Sequence, residues 1–301
     1  MLTATQLEER RGGIGGSDIA AIMCLSPWKT PFQVYQEKRK EVDDWQGNES
    51  TDWGSRLEPT IRQWYSDITG RVVRIPENIL SHKKYPFIRA SLDGFTDDER
   101  VVEIKTARSG KGWGDPGTDE IPEYYALQVQ HYMLVTGFEV SDIPVSIAGK
   151  YPEIYEVPAD KELQEMIIEA CINFWKRVVD GDPPEPVTYS DAVARFGRST
   201  SRGTITATEI DIANVNDLRQ IRAEIKTLQG KEEEYKGEII KILGDNGDIL
   251  ADLDGCPLVT YKLSKGRKSF DSKQFQIDEP KIYEKYVKCG EGSRRFLIKG
   301  E

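Results

Sequence analysis

Ser91-Leu-Asp93-Gly-Phe-Thr-Asp-Asp-Glu-Arg-Val-Val-Glu103-Ile-Lys105 is the stretch from which the fold is read outward. Val101 to Lys105 has the β-branched, alternating composition of a strand. Successive side chains on a strand point to opposite faces, so Glu103 and Lys105 share one face while Ile104 turns into the core. Asp93 stands just before Gly94, and the acidic turn that follows can bring its carboxylate beside Glu103. Two carboxylates at close range repel each other, and a hard divalent cation such as Mg²⁺ or Mn²⁺ relieves that repulsion with oxygen ligands. The plainer reading of the same residues is solvated charge on a strand edge and its turn.

Upstream, a polar, helix-like stretch over 5–13 runs into Gly12-Gly13-Ile14-Gly15-Gly16-Ser17-Asp18. Such a run permits tight turns and close approach of a ligand. Ser17 or Asp18 suits an N-cap for a helix over Ile19–Met23, and the amides of a helix N-terminus attract phosphate. A plain turn and cap is the competing reading, and no Gly-Lys-Ser/Thr follows to make a Walker loop. Ser26-Pro27-Trp28-Lys29-Thr30-Pro31 then leads into a helix over Pro31–Arg39. Trp28 and Lys29 are candidates to touch nucleic acid, although a tryptophan at a helix start usually belongs to the core.

Residues 53–69 carry Leu57, Ile61, Trp64 and Ile68 at helical spacing, ended by Gly70, with Glu58 beside the apolar stripe. The acid there needs a cation, either a salt-bridge partner or a metal. Arg71–Leu80 and Ile88–Leu92 read as strands leading to Asp93. After Lys105, a Gly/Trp/Pro-rich loop over Ser109–Ile121 has the composition of a mobile substrate-contacting segment. The helix over Pro122–Gly137 places Gln128 and Tyr132 on one face. Strands over Ile143–Ile147 and Ile154–Val157 and a helix over Lys161–Asp180 complete a sheet flanked by helices. Pro183, Pro184 and Pro186 end it.

The chain has 301 residues and 38% hydrophobic content, enough for one large core and an appendage. No apolar run is long enough to span a membrane, and residues 1–15 lack a signal-peptide core. The scattered Cys24, Cys171, Cys256 and Cys289 form no CxxC pair, which points to a reducing cytoplasm and away from a zinc or iron–sulfur cluster. A net charge of −10 excludes a general DNA-coating protein, but not an enzyme that grips DNA locally. The acidic surplus lies in 1–186, while 187–301 is nearly balanced.

The Asp93…Glu103-Ile104-Lys105 spacing resembles the PD-(D/E)XK nuclease signature, with Leu92 in place of the nominal proline. Together with Arg10-X-X-Gly-Ile-Gly-Gly-Ser17-Asp, Ser-Pro-Trp-Lys-Thr-Pro, Gly54-X-X-X-Glu58, Ser91-Leu-Asp93-Gly and Gln128-Val-Gln-His-Tyr132, it resembles the lambda-exonuclease-like, YqaJ-type viral recombinases over residues 8–180. The resemblance implies an α/β (α+β) PD-(D/E)XK core, with a mixed central sheet flanked by helices. It implies two divalent metals and 5′→3′ digestion of one strand from double-stranded DNA ends. A ring-shaped homo-oligomer and a single-strand annealing protein partner follow from the same likeness. By position it implies Asp93, Glu103 and Glu58 as metal ligands with the Ile104 carbonyl, and Lys105 acting on the nucleophile. Arg10, Ser17, Gln128 and Ser91 would then hold the terminal 5′ phosphate, with Tyr132 beside Gln128. His82 and His131 are expected to be structural or surface residues.

The expected division is a nuclease domain over 1–186 and an extension over 187–301 for assembly or partner docking. In the extension, Val215, Leu218, Ile221, Ile225, Leu228, Tyr235, Ile239 and Ile242 follow a heptad rhythm broken at Glu232. Gly230 and Gly237 are candidate bends for a helical hairpin. Asp245-Asn246-Gly247 reads as a turn and Leu250–Leu263 as a β-hairpin around Asp254-Gly255, with Lys262, Lys265, Arg267 and Lys268 at its tip. Two other functions fit the residues: a restriction or repair endonuclease with the same site chemistry, and a non-catalytic DNA-end or recombination scaffold.

Overall fold

A computed structural model describes residues 8, 10–43, 47–200, 203–245, 247–288, 290 and 292–298. Residues 5–7 and 9 of the polar N-terminal stretch, Asn246 of the turn read at 245–247, and Cys289 lie outside the described residues. The chain forms two compact units, Met1–Arg195 and Phe196–Glu301.

The first unit is built on a mixed sheet. Its strands are β1 (Val73–Arg74), β4 (Gly94–Thr96), β5 (Arg100–Val102), β6 (Lys105–Ala107), β7 (Val140–Ile147) and β8 (Glu153–Pro158). β1, β4 and β5 are successively antiparallel, and β5 and β6 both run parallel to β7. β8 lines the far edge of β7, antiparallel. Arg100 faces Val140 and Lys105 faces Val145, so β5 and β6 are one strand in a single register, interrupted at Glu103–Ile104. Opposite the gap stands Pro144, which has no N–H to give the ladder. The break therefore falls on the two residues the sequence singled out.

A strand spanning Arg71–Leu80 does not form. β1 is short, β2 (Leu80–Ser81) pairs with β3 (Arg89–Ala90) in a separate ribbon, and Pro76 sits between β1 and β2 where it cannot donate. Helices cover both faces of the main sheet. On one, α3 (Glu49–Thr69) buries Ile61 and Tyr65 against Val102 and Ile104. Ile68 falls outside this contact and is exposed. Asp142 on β7 ties the layer to the sheet: it accepts a bidentate pair from Arg100 at 2.6 and 2.8 Å and a hydrogen bond from the Tyr65 hydroxyl.

On the other face, α4 (Glu123–Thr136) packs Val129, Tyr132 and Met133 against Val101, Ile143 and Val145. α1 (Gly16–Ile22), α2 (Pro31–Lys38) and α5 (Lys161–Asp180) close a second cluster around Ile14, Ile19, Val34 and Ile167. Both α4 and α5 end on a left-handed glycine, Gly137 and Gly181. α6 (Tyr189–Phe196) follows the prolines, and the first compact unit runs to Arg195. The buried Asp191 holds α6 here, accepting from Thr30 Oγ1 at 3.1 Å.

In the second unit the heptad stretch forms one helix and not the alternative hairpin. α7 is one 35-residue helix, Glu209–Leu243, with Gly230 and Gly237 inside it. A capping box between Thr208 and Asp211 starts it, and each glycine costs an exposed helix only about 1 kcal/mol. β9 (Ile249–Ala251) and β10 (Pro257–Thr260) form the expected hairpin, with Gly255 left-handed at its turn. Lys262, Lys265, Arg267 and Lys268 lie beyond β10 instead of at the tip. Two short helices follow, α8 (Ser272–Asp278) and α9 (Pro280–Tyr286).

Candidate active site

The site begins at the strand break. Ile104 N–H, turned away from β7, donates to Asp93 Oδ2 at 2.8 Å, so the ladder gap holds the first acid against the second. Glu103 N–H continues the ladder to the Asp142 carbonyl at 3.0 Å. Side-chain alternation brings the Lys105 ammonium back to Glu103 Oε1 at 2.5 Å. From α4, Gln128 Nε2 donates to the same oxygen at 2.8 Å and is 2.9 Å from the Tyr132 hydroxyl, while Gln128 Oε1 accepts from Lys105 at 3.1 Å. Glu103, Lys105 and Gln128 thus form a closed triangle.

The third acid arrives on α3. Glu58 is paired with Arg62 one turn on, and Arg62 Nε donates to the Asp93 carbonyl at 3.1 Å. Arg62 therefore joins the two segments carrying Glu58 and Asp93. Sequence reasoning missed it, although the i, i+4 spacing from Glu58 was the available signal. Tyr125 was missed too: its ring lies under the Lys105 ammonium, 4.7 Å from the centroid.

The electrostatics record three acids in one place. Burial, then the Asp93 charge, pushes the Glu103 carboxyl up to about 8. The same two causes raise Glu58. Burial pulls Lys105 down, but Glu103 and Asp93 outweigh it, and the ammonium titrates above its ordinary value. Glu103 Oε2 is buried without a hydrogen-bond partner. An orphaned carboxylate oxygen beside two further acids fits a divalent cation. Among the described residues no three His, Cys, Asp or Glu side chains already stand in ligating geometry. Glu103 is held by Lys105 and Gln128, and Glu58 by Arg62.

Arg10 and Ser17 are both exposed and adjoin each other, Nη2 to Oγ at 3.5 Å. Lys38 fastens them from below, donating to the Arg10 carbonyl at 2.9 Å and pairing with the buried Asp18 at 2.6 Å. α1 starts at Gly16, earlier than Ile19, with Gly15 as N-cap. The Gly15 N–H is taken by the Asp18 carboxylate at 3.0 Å. The glycines serve close packing: a Cβ on Gly13 would sit 2.5 Å from the Phe87 carbonyl, and one on Gly16 would sit 2.4 Å from the Tyr132 ring. That contact sets the start of α1, where Ser17 lies, against the part of α4 that carries Gln128 and Tyr132. Ser91 is exposed two residues before Asp93, and no hydrogen bond joins it to the others among the described residues.

His131 is buried, its Nε2 2.8 Å from the Arg89 carbonyl, and His82 Nδ1 accepts from the Tyr85 N–H at 3.1 Å. Both are structural. The 109–121 loop is pinned through Trp113, which packs between Tyr125 and Tyr155, and by the Tyr155 hydroxyl donating to the Gly114 carbonyl at 2.9 Å.

Residues 6–139 match the model of the YqaJ-like viral recombinase domain, a span that contains every site residue named above. The uncharacterized protein YqaJ of Bacillus subtilis (strain 168) is 33% identical over 307 residues, covering 97% of this chain and 93% of its own. The chain belongs to the YqaJ-like viral recombinase family. Among solved structures, an alkaline exonuclease (LHK-Exo) from Laribacter hongkongensis superposes with a TM-score of 0.50 at 19% identity, covering 60% of this chain and 94% of that one. The same enzyme in complex with dAMP gives the same figures. The fold is the PD-(D/E)XK type, a mixed central sheet between helices.

Proposed function

We propose that the protein is a divalent-metal-dependent exodeoxyribonuclease. It digests one strand of linear double-stranded DNA in the 5′→3′ direction, starting from ends that carry a 5′ phosphate, and serves phage-type recombination by single-strand annealing in the cytoplasm of a bacterial or phage-infected host. The observation that carries this reading is the buried Glu103–Lys105–Gln128 triangle, with Glu103 Oε2 left over beside Asp93 and Glu58. Family membership supports it, and so does the exonuclease fold with dAMP, a nucleoside monophosphate, bound in the neighbour.

Glu58, Asp93, Glu103 and the Ile104 carbonyl would hold Mg²⁺ or Mn²⁺, two ions in the full reading. Bound there, the metal supplies Lewis-acid stabilisation of the phosphoryl charge and an acidified water. The chain's own groups do the rest. Lys105, held 2.5 Å from Glu103 Oε1 and 3.1 Å from Gln128 Oε1, is placed to orient or deprotonate the attacking water. Gln128 fixes that ammonium and Glu103 in register. Arg10 and Ser17 receive the terminal phosphate, with Gln128, Tyr132 and Ser91 on its approach. The extension over 187–301 serves assembly into a ring-shaped homo-oligomer or docking of an annealing protein.

The test is digestion of linear and covalently closed circular duplex, with and without a 5′ phosphate and with and without Mg²⁺. Loss of the linear form alone, faster with the phosphate and only with metal, is expected. Cutting of the circle would favour an endonuclease, and no metal-dependent cutting would leave a scaffold.

A further inference from the structure

Trp28 contradicts the expectation that it belongs to the core: it is 64% exposed. It is nevertheless well fixed. Ser26 Oγ accepts from the Trp28 and Lys29 N–H groups at 3.1 and 3.2 Å, and Lys29 pairs with Glu37 at 2.7 Å. The indole packs edge-on against Tyr124, centroids 4.6 Å apart, and lies 6.3 Å from Tyr125. Tyr124 and Tyr125 are 4.5 Å apart, and Tyr125 carries the Lys105 ammonium on its face. An unbroken aromatic path thus leads from an open indole to the lysine of the candidate active site.

The hydrogen-bonded turn fixes Trp28 with a face open beside Tyr124 and Tyr125, a flat apolar surface on the path to Lys105. A flat group carried by a substrate that reaches Lys105 fits it. A strand end lifted from its complement to reach Lys105 would carry unpaired bases past this surface. Aromatic side chains accept such bases irrespective of sequence.

We propose that Trp28, backed by Tyr124, is a stacking platform for an unpaired base at the opened DNA end. The inference rests on the DNA-end reading above. It goes beyond that reading by naming the surface that keeps the end apart.

The test uses full-length protein and a duplex with a frayed end, its terminal linkages phosphorothioate and its last unpaired base 2-aminopurine. Wild type should quench the 2-aminopurine. Trp28→Ala should lose the quenching and bind the frayed end at least about fivefold more weakly, the lower end of base–aromatic stacking. Trp28→Phe should keep affinity within about twofold of wild type, whereas Trp28→Leu, apolar without a π-face, should resemble Ala. The platform is overturned if Trp28→Ala matches wild type in quenching and affinity, or if Leu serves as well as Phe. Wild-type cleavage of linear DNA is measured alongside. A wild type that cuts while its Trp28 variants are indifferent removes the platform alone, and one that neither binds ends nor cuts removes both readings.

Discussion

Replacing Glu103 by glutamine (E103Q) should make the metal-free protein more stable while destroying its response to metal. Glu103 is buried beside Asp93 and Glu58, and its carboxyl is pushed from 4.5 up to about 8. Between those values the folded protein holds a proton that the unfolded chain has released, so wild-type stability falls as pH rises through the window. At pH 8 a shift of this size corresponds to about 5 kcal/mol. Part of that is returned in the variant, because Lys105 loses an anionic partner. The new side chain would still offer an oxygen to Lys105 and Gln128, and would present an amide where Glu103 Oε2 has no partner. A net gain of about 1–3 kcal/mol in EDTA at pH 8 is expected, shrinking towards zero at pH 5. Urea unfolding at both pH values reads it. Saturating Mg²⁺ should stabilise wild type, by about 2.7 kcal/mol at a hundredfold excess over Kd, and leave the variant unmoved. An E103Q protein less stable than wild type at pH 8 in EDTA, or one that gains equally from Mg²⁺, would refute the reasoning.

Three further outcomes are expected. Arg10→Ala should slow digestion of 5′-phosphorylated ends by about 10- to 100-fold, the worth of a hydrogen bond to a charged group, and spare hydroxyl ends; an unchanged ratio of the two rates would detach Arg10 from the phosphate. Gly16→Ala should cost about 1–3 kcal/mol in urea unfolding, because its Cβ would meet the Tyr132 ring at 2.4 Å and Gln128 at 3.1 Å. The buried His131 is pushed down from 6.5 to about 4, so its own contribution falls by about 3 kcal/mol as pH drops across that window, against the opposite contribution of Glu103 above 4.5. His131→Gln should therefore gain stability relative to wild type as pH falls, read as the difference between the two urea midpoints from pH 6.5 to 4.

What the sequence made legible was local. Strand alternation alone put Glu103 and Lys105 on one face and Ile104 in the core, and helical spacing joined Gln128 to Tyr132. What it concealed depended on distant partners. The glycine run gives no sign that Tyr132, more than a hundred residues along the chain, packs so closely that Gly16 can carry no Cβ. Trp28 looks like core because nothing in its neighbourhood reveals that Tyr124 and Tyr125 leave its face open. The break in the ladder at Glu103–Ile104 lies opposite Pro144, on a strand far along the chain, while the register continues through it. In α7 the glycines read as bends because propensity penalises them. One strong cap and a 35-residue helix outweigh two such penalties.

On charge alone, a chain of net −10 with three acids at its site is a poor receiver of DNA. The geometry answers much of this. Glu58 is matched by Arg62, Glu103 by Lys105, and the buried Asp18 below Arg10 and Ser17 by Lys38, while Asp93 accepts the Ile104 N–H. Each pair is close and at least partly shielded from water, so its charges cancel locally, whereas charges elsewhere on the surface are screened beyond about 8 Å at physiological salt. The field met by an incoming phosphate is therefore set by Arg10, by the Asp93 charge and by these nearby pairs, not by the sum over the sequence. Affinity for a DNA end should accordingly rest on a few contacts and show a shallow salt dependence, unlike a protein that coats the duplex.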